Sequence, residues 1–196
     1  MRLIQALALS AAVALLVSGV GFGGYVLSKR ISSTTCYGCL GLNPRFTPFE
    51  GFWTYYPESY SNSGEVVHHP DWVNETLNEG KVIFIFVWAT WCSSCKEQWD
   101  DMVDAGIVKG EESSAEAGEE YKNNIEIFSL DYDNNPKINE IIQTYHPNPS
   151  SPAIPLTVVM TRVSGSNTIE WYAFEGYSVS TSTVENIIES AILVAE

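Results

Sequence analysis

Val82-Ile83-Phe84-Ile85-Phe86-Val87-Trp88-Ala89-Thr90-Trp91-Cys92-Ser93-Ser94-Cys95-Lys96 is the stretch that decides how this chain folds. Seven apolar residues in a row, all β-branched or aromatic, describe a strand buried on both faces, which places it inside a sheet rather than at its rim. Lys96 to Val108 then has Trp99, Met102, Val103 and Ile107 at near-helical spacing. A strand that feeds a Cys-x-x-Cys pair into a helix sets Cys92 at the helix N-terminus, where unpaired amides and the macrodipole favour an anion. A thiolate there is a nucleophile towards disulfides. Cys95, one turn further on, is spaced to attack the resulting mixed disulfide without unwinding the helix.

Working outward, Asp71 is expected to cap a short helix over Trp72 to Glu79, closed by Gly80. Lys109 to Glu120, acidic and rich in small residues, reads as a solvated loop or frayed helix. Ile125 to Leu130 reads as a second buried strand, and Pro136 suits the first turn of a helix whose face is Ile138, Ile141, Ile142 and Tyr145. Leu156 to Val163 and Thr168 to Phe174 form two strands about a Ser164-Gly165-Ser166-Asn167 turn. A closing helix over Thr183 to Val194 presents Val184, Ile187, Ile188 and Ile192. Residues 31–70, interrupted by Pro44, Pro48, Pro57 and Pro70, read as a linker and irregular extension.

The segment from Trp88 to Lys96 resembles the active-site segment of the thioredoxin superfamily. Asp133-Asn134-Asn135-Pro136 is similar to a turn of that family, Ile154-Pro155 before a strand to its cis-proline, and Gly176 before the last helix also agrees. The resemblance covers residues 71–196 and implies an α/β, thioredoxin-like fold: a central mixed sheet flanked by helices. It implies thiol–disulfide oxidoreductase activity on protein substrates through Cys92 and Cys95, without a cofactor. It further implies a cis Pro155 that, with Ile154, presents backbone to a bound polypeptide beside an exposed Trp91; Trp88 is expected in the core. The Ser93-Ser94 dipeptide has no imidazole between the cysteines, which argues against a very strong oxidant. Two departures stand out: the family's buried acid falls at Phe86 and its lysine partner at Ser129.

The ends of the chain bear on location. Leu3 to Ser28 carries no charge and is long enough to cross a bilayer before Lys29-Arg30, so residues 1–30 read as a membrane anchor, with a cleaved signal peptide as the rival. Either reading sends the folded part outside the cytosol: membrane-anchored if the segment stays, secreted if it is cleaved. Flanking charges leave the orientation open. Cys36 and Cys39 form a second Cys-x-x-Cys pair, readable as an inert local disulfide or as a relay to a membrane redox partner. Residues 31–196 hold seven basic residues against 24 acids, a formal charge of −17, which disfavours nucleic acid as a partner.

Two other functions fit the same fold. A zinc site built from all four cysteines has the wrong spacing, whereas a thioredoxin-like copper carrier using thiolates with His68, His69 or His146 is chemically sound. A non-catalytic peptide-binding module is the third reading.

Overall fold

The computed structural model describes residues 49–176 and 179–195. In chain order these form α1 (Asp71–Leu77), β1 (Val82–Trp88), α2 (Ser93–Asp104), β2 (Val108–Lys109), a 3-10 turn (Glu112–Ser114), β3 (Glu116–Ala117), β4 (Ile125–Asp131), α3 (Ile138–Tyr145), β5 (Leu156–Arg162), β6 (Ile169–Glu175) and α4 (Thr181–Ala195). The main sheet runs β4-β1-β5-β6. β1 is parallel to β4 and antiparallel to β5, and β5 is antiparallel to β6.

The apolar run of β1 is central because both its faces are covered. Val82, Phe84 and Phe86 point into one core layer with Cys95, Trp99 and Met102 of α2 and Val184, Ile187, Ile188 and Ala191 of α4. Ile83, Ile85 and Val87 point into the other, with Val73 and Leu77 of α1 and Ile138, Ile141, Ile142 and Tyr145 of α3. A strand side chain alternates faces by geometry, so a strand apolar at every position needs helices on both sides. Each fully buried Ile or Phe contributes about 1.5–3 kcal/mol.

Several expectations are corrected by tertiary structure. Asp71 is the first helical residue of α1 and Pro70 the cap; no side chain caps this end, and the Asp71 charge instead sits in the first turn, where the helix dipole favours it. α2 begins at Ser93, not Lys96, and stops at Asp104 because Gly106 turns left-handed (φ 76°). Ile107 therefore lies beyond the helix, though fully buried, and Val103 is exposed. α3 starts at Ile138; Pro136 stays in the preceding turn, where the Asn135 side-chain oxygen accepts from Lys137 N at 3.0 Å. The stretch 108–117 is largely solvated, as expected, but closes into a small β2–β3 hairpin around a 3-10 turn. It packs so closely that a Cβ on Gly118 would run into the Gly106 carbonyl.

β4 is half-exposed along its middle, unlike the second buried strand expected, because among the described residues only β1 pairs with it. Residues 49–70 have no helix or long strand but are built into the core. Trp53 and Trp171 of β6 exchange both backbone hydrogen bonds at 2.8 and 3.0 Å, covering that edge of the sheet. Tyr56, Tyr60 and Val67 are buried, and Tyr60 Oη donates to the Tyr145 carbonyl at 2.6 Å.

Candidate active site

Cys92 sits where β1 turns into α2. Its N–H donates to the Ala89 carbonyl at 3.0 Å, and its Sγ caps α2 by accepting the Cys95 N–H at 3.1 Å. The Sγ also lies 3.5 Å from Ser94 Oγ and 3.7 Å from the Ile154 carbonyl oxygen. Cys92 and Cys95 are joined, with S–S 2.05 Å. The two sulfurs are unequal in access: Cys92 retains 9% exposure and Cys95 1%. An incoming group reaches Cys92 first.

The other residues read as substrate-binding gather at the same place. Ile154–Pro155 is cis, and Gly176 N donates to the Pro155 carbonyl at 2.7 Å, fixing the loop against the end of β6. Trp91 is 65% exposed, its Nε1–H donating to Asp133 Oδ2 at 3.0 Å and its ring edge-on to Tyr132. The Asp133 turn thus holds an exposed indole upright beside the cysteines. Trp88 packs partly buried against the core as expected, with its Nε1–H unpartnered.

Beneath the disulfide, Phe86 is fully buried with its ring 5.3 Å from that of Trp99. In register it is flanked by Ser129 on β4 and Thr157 on β5. Ser129 Oγ, Thr157 Oγ1 and both amide atoms of Gln98 are buried with no hydrogen-bond partner. Among the described residues the nearest carboxylate along the neighbouring strand, Asp131, has both oxygens engaged in the turn, accepting from Asp133 N at 2.9 Å and Asn134 Nδ2 at 2.7 Å. The nearest cation in sequence, Lys96, pairs with Asp100 at 3.0 Å.

Sequence reasoning missed Thr157 and Gln98, which read as an ordinary strand residue and a solvent-facing helix residue. Gln98 follows Cys95 by three positions, so it shares the buried stripe, a signal present in the spacing. It also missed the role of His146, described below.

His68 is exposed; His69 Nδ1 lies 2.8 Å from Tyr145 Oη, and burial lowers its pKa to about 4. Among the described residues no group of three or more His, Cys, Asp or Glu is placed to hold a metal ion. Cys36, Cys39 and the apolar stretch 3–28 lie outside the described residues. Among the described residues no helix is long and apolar enough to cross a membrane.

A mixed sheet in the order β4-β1-β5-β6, helices on both faces, a Cys-x-x-Cys disulfide capping the helix after the central strand and a cis-proline against it together define a thioredoxin-like fold with a redox-capable cysteine pair. Solved structures with similarity to the chain include a thioredoxin of Trichomonas vaginalis (15% identity, 61% of this chain and 88% of that one, TM-score 0.39). A thioredoxin of Fasciola hepatica matches at 16% identity over 61% of this chain and 90% of that one (TM-score 0.39). Mitochondrial thioredoxin 3 of Saccharomyces cerevisiae matches at 16% over 60% and 89% (TM-score 0.37). No family model matches the sequence, and no curated protein matches it.

Proposed function

We propose that the chain is a thiol–disulfide oxidoreductase acting on protein disulfides, with Cys92 the attacking and Cys95 the resolving thiol. The observation that carries this reading is the Cys92 Sγ at the N-terminus of α2, accepting the Cys95 N–H and set beside the Ile154 carbonyl with partial exposure. The amide and helix dipole stabilise the Cys92 thiolate once the pair is reduced.

Reduction of a substrate disulfide then proceeds in two exchanges. The Cys92 thiolate attacks one substrate sulfur, the substrate S–S bond breaks, and the departing thiolate takes a proton from water. Cys95 gives up its proton and attacks the Cys92 sulfur; the mixed disulfide breaks and the second substrate thiolate leaves. Two electrons pass from the dithiol to the substrate, and the Cys92–Cys95 disulfide remains. Run backwards, the same steps oxidise a dithiol substrate, so direction follows the partner's potential. Trp91, Ile154 and Pro155 serve as the polypeptide-binding surface.

The uncharged stretch 3–28 supports a membrane tether with the folded domain on an extracytosolic side, where a disulfide persists. Its test is the mature N-terminus: one found near Val20 in a soluble fraction rejects the tether. For the chemistry, Cys95→Ser in the reduced full chain is expected to accumulate mixed disulfides with client proteins, and Cys92→Ser to accumulate none. Turnover of a disulfide substrate by both single variants rejects the assignment. A metal carrier would instead retain stoichiometric Cu(I) through purification and lose it on Cys92→Ser.

A further inference from the structure

His146 follows α3 directly and is almost wholly buried, yet it lies at the root of the exposed, proline-rich stretch Pro147 to Pro152 that leads to Ile154–Pro155. Four groups converge on its ring. Asn148 N lies 3.0 Å from Nδ1, while Ala153 N, the Ala153 carbonyl and Glu175 Oε2 lie 2.9, 3.2 and 2.7 Å from Nε2. Both backbone N–H groups point at ring nitrogens, Asn148 N–H at Nδ1 and Ala153 N–H at Nε2, and the tautomer sets which nitrogen accepts. The Ala153 carbonyl and Glu175 Oε2 approach the ring from the same Nε2 side.

One ring thus ties the start of the loop, at Asn148, to its end, at Ala153, and both to the last residue of β6. Ile154 is next in the chain, and its carbonyl lies 3.7 Å from the Cys92 sulfur. From the other side the loop is held by Gly176 N on the Pro155 carbonyl. Hydrogen bonds thus flank the backbone facing the cysteine on both sides, His146 before Ile154 and Gly176 after it, while the Ile154 side chain packs on the core.

Resting on the oxidoreductase reading, we propose that His146 is a positioning residue for polypeptide substrates: it clamps the 148–153 loop so that the Ile154 backbone meets an extended chain bound over Cys92. It touches neither sulfur. Loss of the clamp therefore weakens binding of a peptide whose backbone must pair with Ile154, and spares attack on a small disulfide that needs only Cys92.

The test uses the reduced full chain with two probes: a short synthetic peptide with one intramolecular disulfide, and the small aromatic disulfide dithiobis(nitrobenzoate). His146→Phe keeps a buried ring and removes both polar ends. It is expected to raise KM for the peptide about tenfold with kcat changed less than twofold, and to leave the small-disulfide rate within twofold. Glu175→Ala, a change at a half-exposed side chain, is expected to raise the same KM about threefold, and Glu175→Gln, which keeps an acceptor, to restore it; these variants decide the matter should His146→Phe not fold. Peptide and small-disulfide rates falling in parallel, or neither moving, overturns the clamp. A wild type that reduces neither probe overturns the oxidoreductase reading and the clamp with it.

Discussion

Replacing Phe86 by Asp restores an acid beneath the cysteine pair, and the structure sets the size of both consequences. The Phe86 ring is fully buried against Trp99, and truncating such a residue costs about 3–5 kcal/mol. Burial raises the new carboxyl's pKa above the usual carboxylate range, which leaves an ionised fraction to act as a base near neutrality and above. Ser129 Oγ and Thr157 Oγ1, the flanking hydroxyls now without partners, can bond to it, and each such bond offsets about 1 kcal/mol of the desolvation. A net loss of about 3–5 kcal/mol lowers the melting temperature by roughly 10–15 °C in a chain of this size. That leaves the fold intact if its stability is ordinary, at about 5–15 kcal/mol. In the wild type, Cys95 must lose its proton to water, so resolution of the Cys92 mixed disulfide should accelerate about tenfold per pH unit until the thiol titrates. A carboxyl in place of Phe86 accepts that proton directly, and general-base help is worth about 10²–10⁴-fold. Stopped-flow release of a fluorescent thiol from the Cys92 mixed disulfide, followed between about pH 6 and pH 9, measures both slopes. The wild type should be steep and slow at neutrality, Phe86→Asp shallow and faster. A flat wild-type profile refutes the reasoning, because it means a base already serves Cys95.

Other outcomes follow from the packing. His69, held neutral by burial with Nδ1 facing Tyr145 Oη, has a folded pKa of about 4 against 6.5 unfolded, so the unfolded chain binds more protons between those values. Stability is therefore complete above about pH 6.5 and falls as pH drops towards 4, losing about 2 kcal/mol by pH 5; denaturant melts at pH 7 and 5 check this, and His69→Gln should flatten the difference. Trp171→Ala, which removes a fully buried ring stacked edge-on by Trp53, Tyr60 and Tyr145, should cost about 3–5 kcal/mol in the same assay.

The site was more legible than its surroundings because its signals are local. Seven apolar residues before a Cys-x-x-Cys pair say strand, turn and helix N-terminus with no help from distant sequence, and Ile154-Pro155 ahead of an apolar strand marks the opposing loop. The misplaced start of α2 has a local cause too: Cys92 caps the helix with sulfur, a cap that Ser and Asp usually signal more clearly. What could not be read depends on partners far along the chain. Ile125 to Leu130 has the composition of a buried strand, but exposure depends on what lies beside it, and composition does not record that. Tyr56 and Tyr60 look like loop aromatics until Trp171 and Tyr145 are brought against them. His146 is legible in the sequence only as a candidate copper ligand, until folding brings Glu175 to it.

The pairing of Trp53 with Trp171 also orders events in time. Residues made early in the folded unit find their partners on a strand made near its end, and even the Tyr60–Tyr145 bond spans 85 residues. Contacts of such separation carry a loop-closure cost that local contacts do not, so they form late. As the chain emerges from a ribosome or translocon, Trp53, Tyr56 and Tyr60 must wait uncovered while β1 to β5 assemble, and an uncovered aromatic cluster is what chaperones and aggregates both recognise. Protection of residues 49–60 from protease therefore reports completion of the domain, appearing only after β6 has been synthesised and docked.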